Sequence, residues 1–289
     1  MPDLLPAPRL HPDLTLHHVE LTVGSLGRSL DFYREVLGLT VLAAGDGAAR
    51  LGVGGRTLLA LRELPGAAPA PRSSPGLYHF ALLVPTRADL GRFVRHAGGL
   101  GVRLGQSDHL VSEAFYLQDP DGHGIEVYRD RPRGEWRWVG GEVRMAGDPI
   151  DLPGLLLEAG PPAPWTGLPD GTVMGHVHLR VADLGAAEAF YAGTLGFDVV
   201  SRWPGALFVS VGGYHHHLGL NTWQSLGGEA APGGSAHLER VWLHLPDAEA
   251  LDALAGRLRL RRVSFTEPSH AGGTLEVRDP FGTRLAFTA

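Results

Sequence analysis

The sequence predicts an α+β protein built from four β-α-β-β-β repeats. Three observations carry that prediction. First, residues 17–37 (HHVELTVGSLGRSLDFYREVL) and 175–195 (GHVHLRVADLGAAEAFYAGTL) share one pattern. Both open with strand-like alternation, pass a polar turn that can cap a helix, carry Phe-Tyr and then Leu-Gly, with glycine as the helix stop. Second, LYHFALLVP (77–85) resembles LERVWLHLP (238–246), and each later meets an Asp-Pro-x-Gly turn, at 119–122 and 279–282. Third, the spacings agree in pairs. His18 to Leu59 and His176 to His217 are both 41 residues apart; His79 to Glu126 is 47 and Arg240 to Ala286 is 46. Repeats of this kind decide a fold and are sought first.

The repeats take approximate spans of 14–63, 76–130, 172–223 and 237–289. In the first, the strand at His18 leads through Gly24-Ser25 into a helix with Phe32-Tyr33, ended by Leu37-Gly38. The third repeats this through Ala182-Asp183, Phe190-Tyr191 and Leu195-Gly196. The second and fourth carry helix-like stretches at 86–97 and 247–258, and a final apolar strand after the turn. The first unit matches the third and the second matches the fourth, the mark of a duplicated two-unit domain. The stretch 131–171 is rich in Pro, Gly and Trp and exceeds a usual loop. It reads as a linker with one short helix near 151–158. The expected division is therefore 1–130, a linker 131–171, and 172–289, each half pairing its own two units. The phrase GVGGR (52–56) has no helix after it and reads as a tight turn, not a phosphate loop.

Composition narrows the chemistry. The 289 residues are 44% hydrophobic and 19% charged, as in an ordinary globular protein. Net charge is −6, and no basic run is long enough to track nucleic acid. There is no cysteine, which excludes disulfides, thiolate zinc sites and iron–sulfur clusters. Fifteen histidines remain, with Asp and Glu, a donor set suited to Fe(II), Mn(II), Zn(II), Ni(II) or Co(II). The N-terminus lacks the basic start and apolar run of a signal peptide, and no apolar stretch is long enough to span a membrane. A cytoplasmic location is the expectation.

Paired β-α-β-β-β units, with His on a first strand and Glu on a last strand, resemble the vicinal oxygen chelate superfamily. That superfamily includes glyoxalase I, bleomycin-resistance proteins and type I extradiol dioxygenases. The resemblance covers nearly the whole chain. It implies two cup-shaped mixed or antiparallel sheets flanked by helices, with metal ligands on the first and last strands of each unit. Those positions are His18 and Leu59, His79 and Glu126, His176 and His217, and Arg240 and Ala286. If the first and second units pair, one cup holds His18, His79 and Glu126. If the second and third pair, it holds His79, Glu126, His176 and His217. The spacing symmetry favours the first pairing, and a degenerate C-terminal half. His79 and Glu126 belong to both.

Residues 109–126 (HLVSEAFYLQDPDGHGIE) resemble the extradiol signature, of the catechol 2,3-dioxygenase type, through His109, Tyr116, Asp119-Pro120, Gly122 and Glu126. The resemblance implies an enzyme opening an aromatic ring, a catechol or hydroquinone type, with O₂ on a divalent metal, most simply Fe(II). His109 would act as acid or base and Tyr116 would hydrogen-bond a substrate oxygen. A small aromatic partner, no nucleic acid, no membrane and association into a homo-oligomer are expected. Two other readings stay open: a glyoxalase-like isomerase or lyase with four ligands, and a non-enzymatic small-molecule binder.

Overall fold

The computed structural model describes residues 9–267 and 273–289. Residues 1–8, on which part of the reading of the N-terminus rests, lie outside it. The first unit is β1 (Thr15–Val23), α1 (Leu26–Glu35), β2 (Thr40–Gly45), β3 (Ala48–Val53) and β4 (Arg56–Glu63). The second is β5 (Gly76–Leu83), α2 (Arg87–Gly99), β6 (Gly105–Asp108), β7 (Ser112–Gln118) and β8 (Gly124–Asp130). A small hairpin of β9 (Trp138–Val139) and β10 (Glu142–Val143) follows, then α3 (Leu152–Glu158). The third unit is β11 (Val173–Arg180), α4 (Leu184–Glu188) continued by a π-helical turn (Ala189–Leu195), β12 (Asp198–Trp203), β13 (Ala206–Ser210) and β14 (Leu218–Asn221). The fourth is β15 (Leu238–His244), α5 (Ala248–Leu260), β16 (Phe265–Thr266), β17 (Leu275–Arg278) and β18 (Arg284–Thr288). No helix among the described residues is long and apolar enough to cross a membrane.

The helices start where the sequence offers a cap. Ser25, Thr86, Asp183 and Asp247 each accept a backbone N–H of the first turn, and Thr86 forms a capping box with Asp89. Gly196, at φ 93°, ends the π-helical turn in the left-handed region that favours glycine.

The pairing of units differs from the expectation. One eight-stranded sheet runs β12-β13-β14-β11-β5-β8-β7-β6, joining the second and third units. The other runs β16-β17-β18-β15-β1-β4-β3-β2, joining the fourth and first. The two units of each half, first with second and third with fourth, do not share a sheet; they pack from one sheet onto the other. Tyr33 of α1 donates its hydroxyl to Asp119 at 2.8 Å, and Tyr191 donates to Asp279 at 2.9 Å. Thus the Phe-Tyr helix of one unit latches onto the Asp-Pro-x-Gly turn of the next. Each turn carboxylate also accepts two backbone N–H groups of its own turn, so its burial is compensated. Symmetric spacing is equally compatible with edge-to-edge and face-to-face packing of neighbouring units, which is why it misled.

The segment after β8 is not a free spacer. Trp136 and Val143 are buried against Val111 and Tyr214. The expected short helix appears as α3 and lies so close to α2 that a side chain at Gly91 would sit 2.6 Å from the Leu155 carbonyl. This long, packed return lets β11 lie antiparallel beside β5. A single apolar core then runs through both sheets, from Leu21 and Leu59 to Phe80, Val177 and Leu285.

Candidate metal centre

The cup of the second and third units is shaped by two local irregularities. Along β11, Met174, Val177 and Leu179 face the core, while His176, His178 and Arg180 face the cup. Gly175 is the extra residue of a bulge between Met174 and His176. A Cβ there would lie 1.8 Å from the Tyr128 hydroxyl. On β5 the register skips Tyr78, so Tyr78 and His79 both reach the cup while Leu77 and Phe80 return to the core.

Across the sheet, Tyr116, Glu126, Ala81 and His176 stand in one row of the register. Neighbouring strands are about 4.8 Å apart, so Glu126 and His176 flank Ala81 at roughly twice that spacing. Ala81 is small and fully buried, and the two longer side chains close over it. His79, two residues earlier on the same strand, reaches the same point. His79 Nε2 lies 3.0 Å from Glu126 Oε2, His176 Nε2 lies 3.1 Å from the same oxygen, and the two nitrogens are 3.3 Å apart. All three residues are buried.

These separations suit a shared divalent ion. Three ligands at about 2.1 Å on one face of an octahedron stand roughly 3.0 Å apart, and roughly 3.4 Å apart on a tetrahedron. A hydrogen-bonded triad without metal would need both imidazoles to aim an N–H at one oxygen, with the two nitrogens nearly in contact. Two imidazoles and a carboxylate are also the donor set of oxygen-activating, non-haem iron sites. Burial would push the Glu126 carboxyl up, but the hydrogen bonds from His176 and His79, and the charge these rings carry when protonated in acid, outweigh it and hold it well below the usual carboxylate range. Burial depresses His176 to about 4, so its nitrogen is free to act as a ligand at neutral pH. Among the described residues, His176 Nδ1 has no hydrogen-bond partner.

The other expected positions divide. His18 lies in the other sheet, stacked on Trp242 at 5.3 Å, and contributes nothing to this group. The placement with His79 and Glu126 depended on the first unit pairing with the second, and that pairing does not occur. His217 Nδ1 accepts from the Val211 N–H and from the Ser210 hydroxyl, 2.8 Å away, and the residue lines a different cavity. The expectation that placed His217 on the last strand of its unit fails because residues 215–217 lie in the bend before β14. His216 of that run lines the cup instead, its ring 4.2 Å from that of His176. His178 stands beside His79, bonded to the Asn221 amide at 3.0 Å. The density of histidines in the third unit was the signal for both; which of them face the cup required the fold.

His109 and Tyr116 are brought together and into the cup. His109 Nδ1 is 2.7 Å from the Ala146 carbonyl, and His109 Nε2 is 2.7 Å from the Tyr116 hydroxyl. A carbonyl only accepts, so Nδ1 carries the proton of the neutral ring and Nε2 accepts from Tyr116. Burial, and then the charge of Glu126, raise the Tyr116 phenol well above 10. A second chain runs Asp130–His215–His216, at 2.8 Å for each link. Asp130 accepts from His215 Nε2–H, and His215 Nδ1 then accepts from His216 Nδ1–H. Neutral His216 is left with a lone pair on Nε2. A cavity of about 690 Å³ joins these groups, walled by Tyr78, Trp203, Phe208 and Trp223. That is room for a substituted aromatic ring.

Residues 15–127 and 173–287 match the Glyoxalase/Bleomycin resistance protein/Dioxygenase superfamily, and the chain belongs to it. Within it, the chain is 45% identical over 288 residues to a catechol-2,3-dioxygenase of Bacillus subtilis (strain 168), covering 96% of this chain and 98% of that one. It is 31% identical over 130 residues to the lactoylglutathione lyase of Escherichia coli O157:H7, covering 42% of this chain and 96% of the lyase. Glyoxalase I from Zea mays shares the fold with a TM-score of 0.57 at 18% identity, covering 96% of this chain and 92% of that one.

Proposed function

We propose that the chain is a metal-dependent extradiol dioxygenase, which opens a catechol or hydroquinone-type ring with O₂. The observation that carries this is the convergence of His79, Glu126 and His176 beside the His109–Tyr116 pair, in a cavity sized for an aromatic ring. The near full-length likeness to a catechol-2,3-dioxygenase supports the same reading. Those three residues would hold the ion, for which Fe(II) is the natural choice. When bound, it would supply the redox chemistry that lets O₂ react with an aromatic, and open positions for substrate oxygens.

The chain's own groups handle binding and protons. The aromatic wall excludes water and stacks the ring. Tyr116 donates its O–H to a substrate oxygen once His109 takes a proton at Nε2 and turns the pair around. His216 Nε2 accepts a proton from a substrate hydroxyl, and the His215–Asp130 chain steadies the cation that results. A glyoxalase-like reading calls for four protein ligands. Among the described residues His217, its fourth, points elsewhere, which favours the oxygenase.

The test is direct. Protein purified without oxygen is stripped with a chelator, reloaded with Fe(II), and given a catechol and O₂. Oxygen uptake with a yellow ring-opened product is expected, and its loss on chelation. Tight zinc or nickel binding with no oxygen uptake would overturn the reading.

A further inference from the structure

The cavity carries more positive charge at its mouth than its walls neutralise. Arg180 follows His176 and His178 at two-residue steps on β11, so all three face the cup. The strand rise puts Arg180 roughly 13 Å beyond His176. Its guanidinium is half-buried and donates Nε–H to the Ser74 carbonyl at 3.1 Å. Arg72, in the loop before β5, donates to Gln118 Oε1 at 3.3 Å. Both line the cavity. Among the described residues neither makes an ion pair, although Arg87, Arg129 and Arg131 of the same sheet region each hold a carboxylate. The two guanidinium groups feel each other: burial, and then the charge of Arg72, lower the pKa of Arg180. Tyr78 and Trp223 stand against His178, at 5.0 and 5.6 Å, and line the same cavity as these arginines and the metal group.

We propose that Arg72 and Arg180 form a carboxylate subsite at the mouth of the cavity, so that the substrate is a catechol bearing an anionic side arm. Two like charges gathered at one place, Arg180 half-buried and Arg72 exposed, repel each other. A carboxylate between them gains charge-assisted, two-pronged hydrogen bonds and removes their repulsion. The reach is right as well: a ring with a two-carbon arm spans roughly 9 Å, and the Arg180 side chain closes the rest. The assignment rests on the oxygenase reading for the catechol end, but the arginine end can be tested apart from it.

The probes are dihydroxyphenylpropanoate and its uncharged methyl ester. Each is titrated without oxygen into metal-loaded protein, following tryptophan fluorescence, and then turned over with O₂. The acid is expected to bind about 10–100-fold tighter than the ester. Arg180→Met should shrink that ratio to within about threefold, through KM more than kcat, and Arg180→Lys should keep part of it. Equal affinity for acid and ester in the unaltered protein would overturn the subsite, as would an Arg180→Met variant that weakens both alike. If the acid is preferred in binding but neither compound is opened, the oxygenase reading fails and the subsite stands.

Discussion

The two eight-stranded sheets share one plan and differ in what fills their cups. In the cup of the second and third units, His79 and Glu126 occupy the first and last strands of one unit. In the cup of the fourth and first units, the matching positions are Arg240 and Ala286. There Arg240 binds Glu20 at 3.0 Å and Glu276 at 2.8 Å, Arg284 reaches Glu239 and Glu276, and Arg240 lies over Trp242 at 5.4 Å. His18 remains, but burial and the charges of His17, Arg240 and Arg50 depress it to about 4. A carboxylate has become alanine and a histidine has become a cation, so a divalent ion would meet repulsion where the sister cup offers charge. The backbone supplies the seat in both sheets; side-chain charge decides whether it serves a metal or an ion-pair network.

That contrast can be broken most sharply at Glu126. Glu126→Gln should remove stoichiometric metal, read by elemental analysis, and lower turnover by more than about a thousand-fold. His18→Gln should leave metal content untouched. Metal loss in the His18 variant would show that the cups are not independent. Ala81→Leu comes next. The larger side chain would fill the space over which Glu126 and His176 meet, expelling the metal at a cost of about 1–3 kcal/mol in stability. A variant that keeps its metal would place the seat elsewhere.

Smaller effects separate binding from chemistry. His109→Phe should lower kcat by about 10²–10⁴-fold with metal content unchanged, because it removes Tyr116's acceptor and not a ligand. In the other cup, Arg240→Met should cost about 1–2 kcal/mol in denaturant unfolding, since Glu20 and Glu276 lose their partner, with turnover as before. The same change should raise the His18 pKa, which NMR titration of the ring would follow. A fall would contradict the repulsion described here.

Acid should unfold the protein early. His18 and His217 titrate near 6.5 when unfolded, but at about 4 and about 3 in the fold, mainly through burial. Between pH 6.5 and 4 the unfolded chain therefore binds more protons, and stability falls as pH falls. Melting temperature should drop through that window; a flat profile from pH 7 to 5 would count against it.

Much of this was legible in the residues. The four repeats, the caps of the first and third units and the short helix near 151–158 follow from local pattern, which short-range sterics and hydrogen bonding enforce. His79, Glu126, His109 and Tyr116 are picked out as candidates through one contiguous unit, in which strand register alone brings Glu126 opposite Tyr116 and beside Ala81. His176 in place of His18 was not decidable, because both occupy the same repeat position on strands that could each add to the edge of β5. The choice was made by non-local burial: the helices of the first and third units latched their tyrosines onto the next unit's turn, and the packed return through Trp136 and α3 brought β11 alongside. Sequence by itself determined the building block and two of the three residues of the candidate metal group. Tertiary structure decided which blocks share a sheet, and so brought His176 to that group, His178 and His216 to its surroundings, and Arg72 and Arg180 to one cavity.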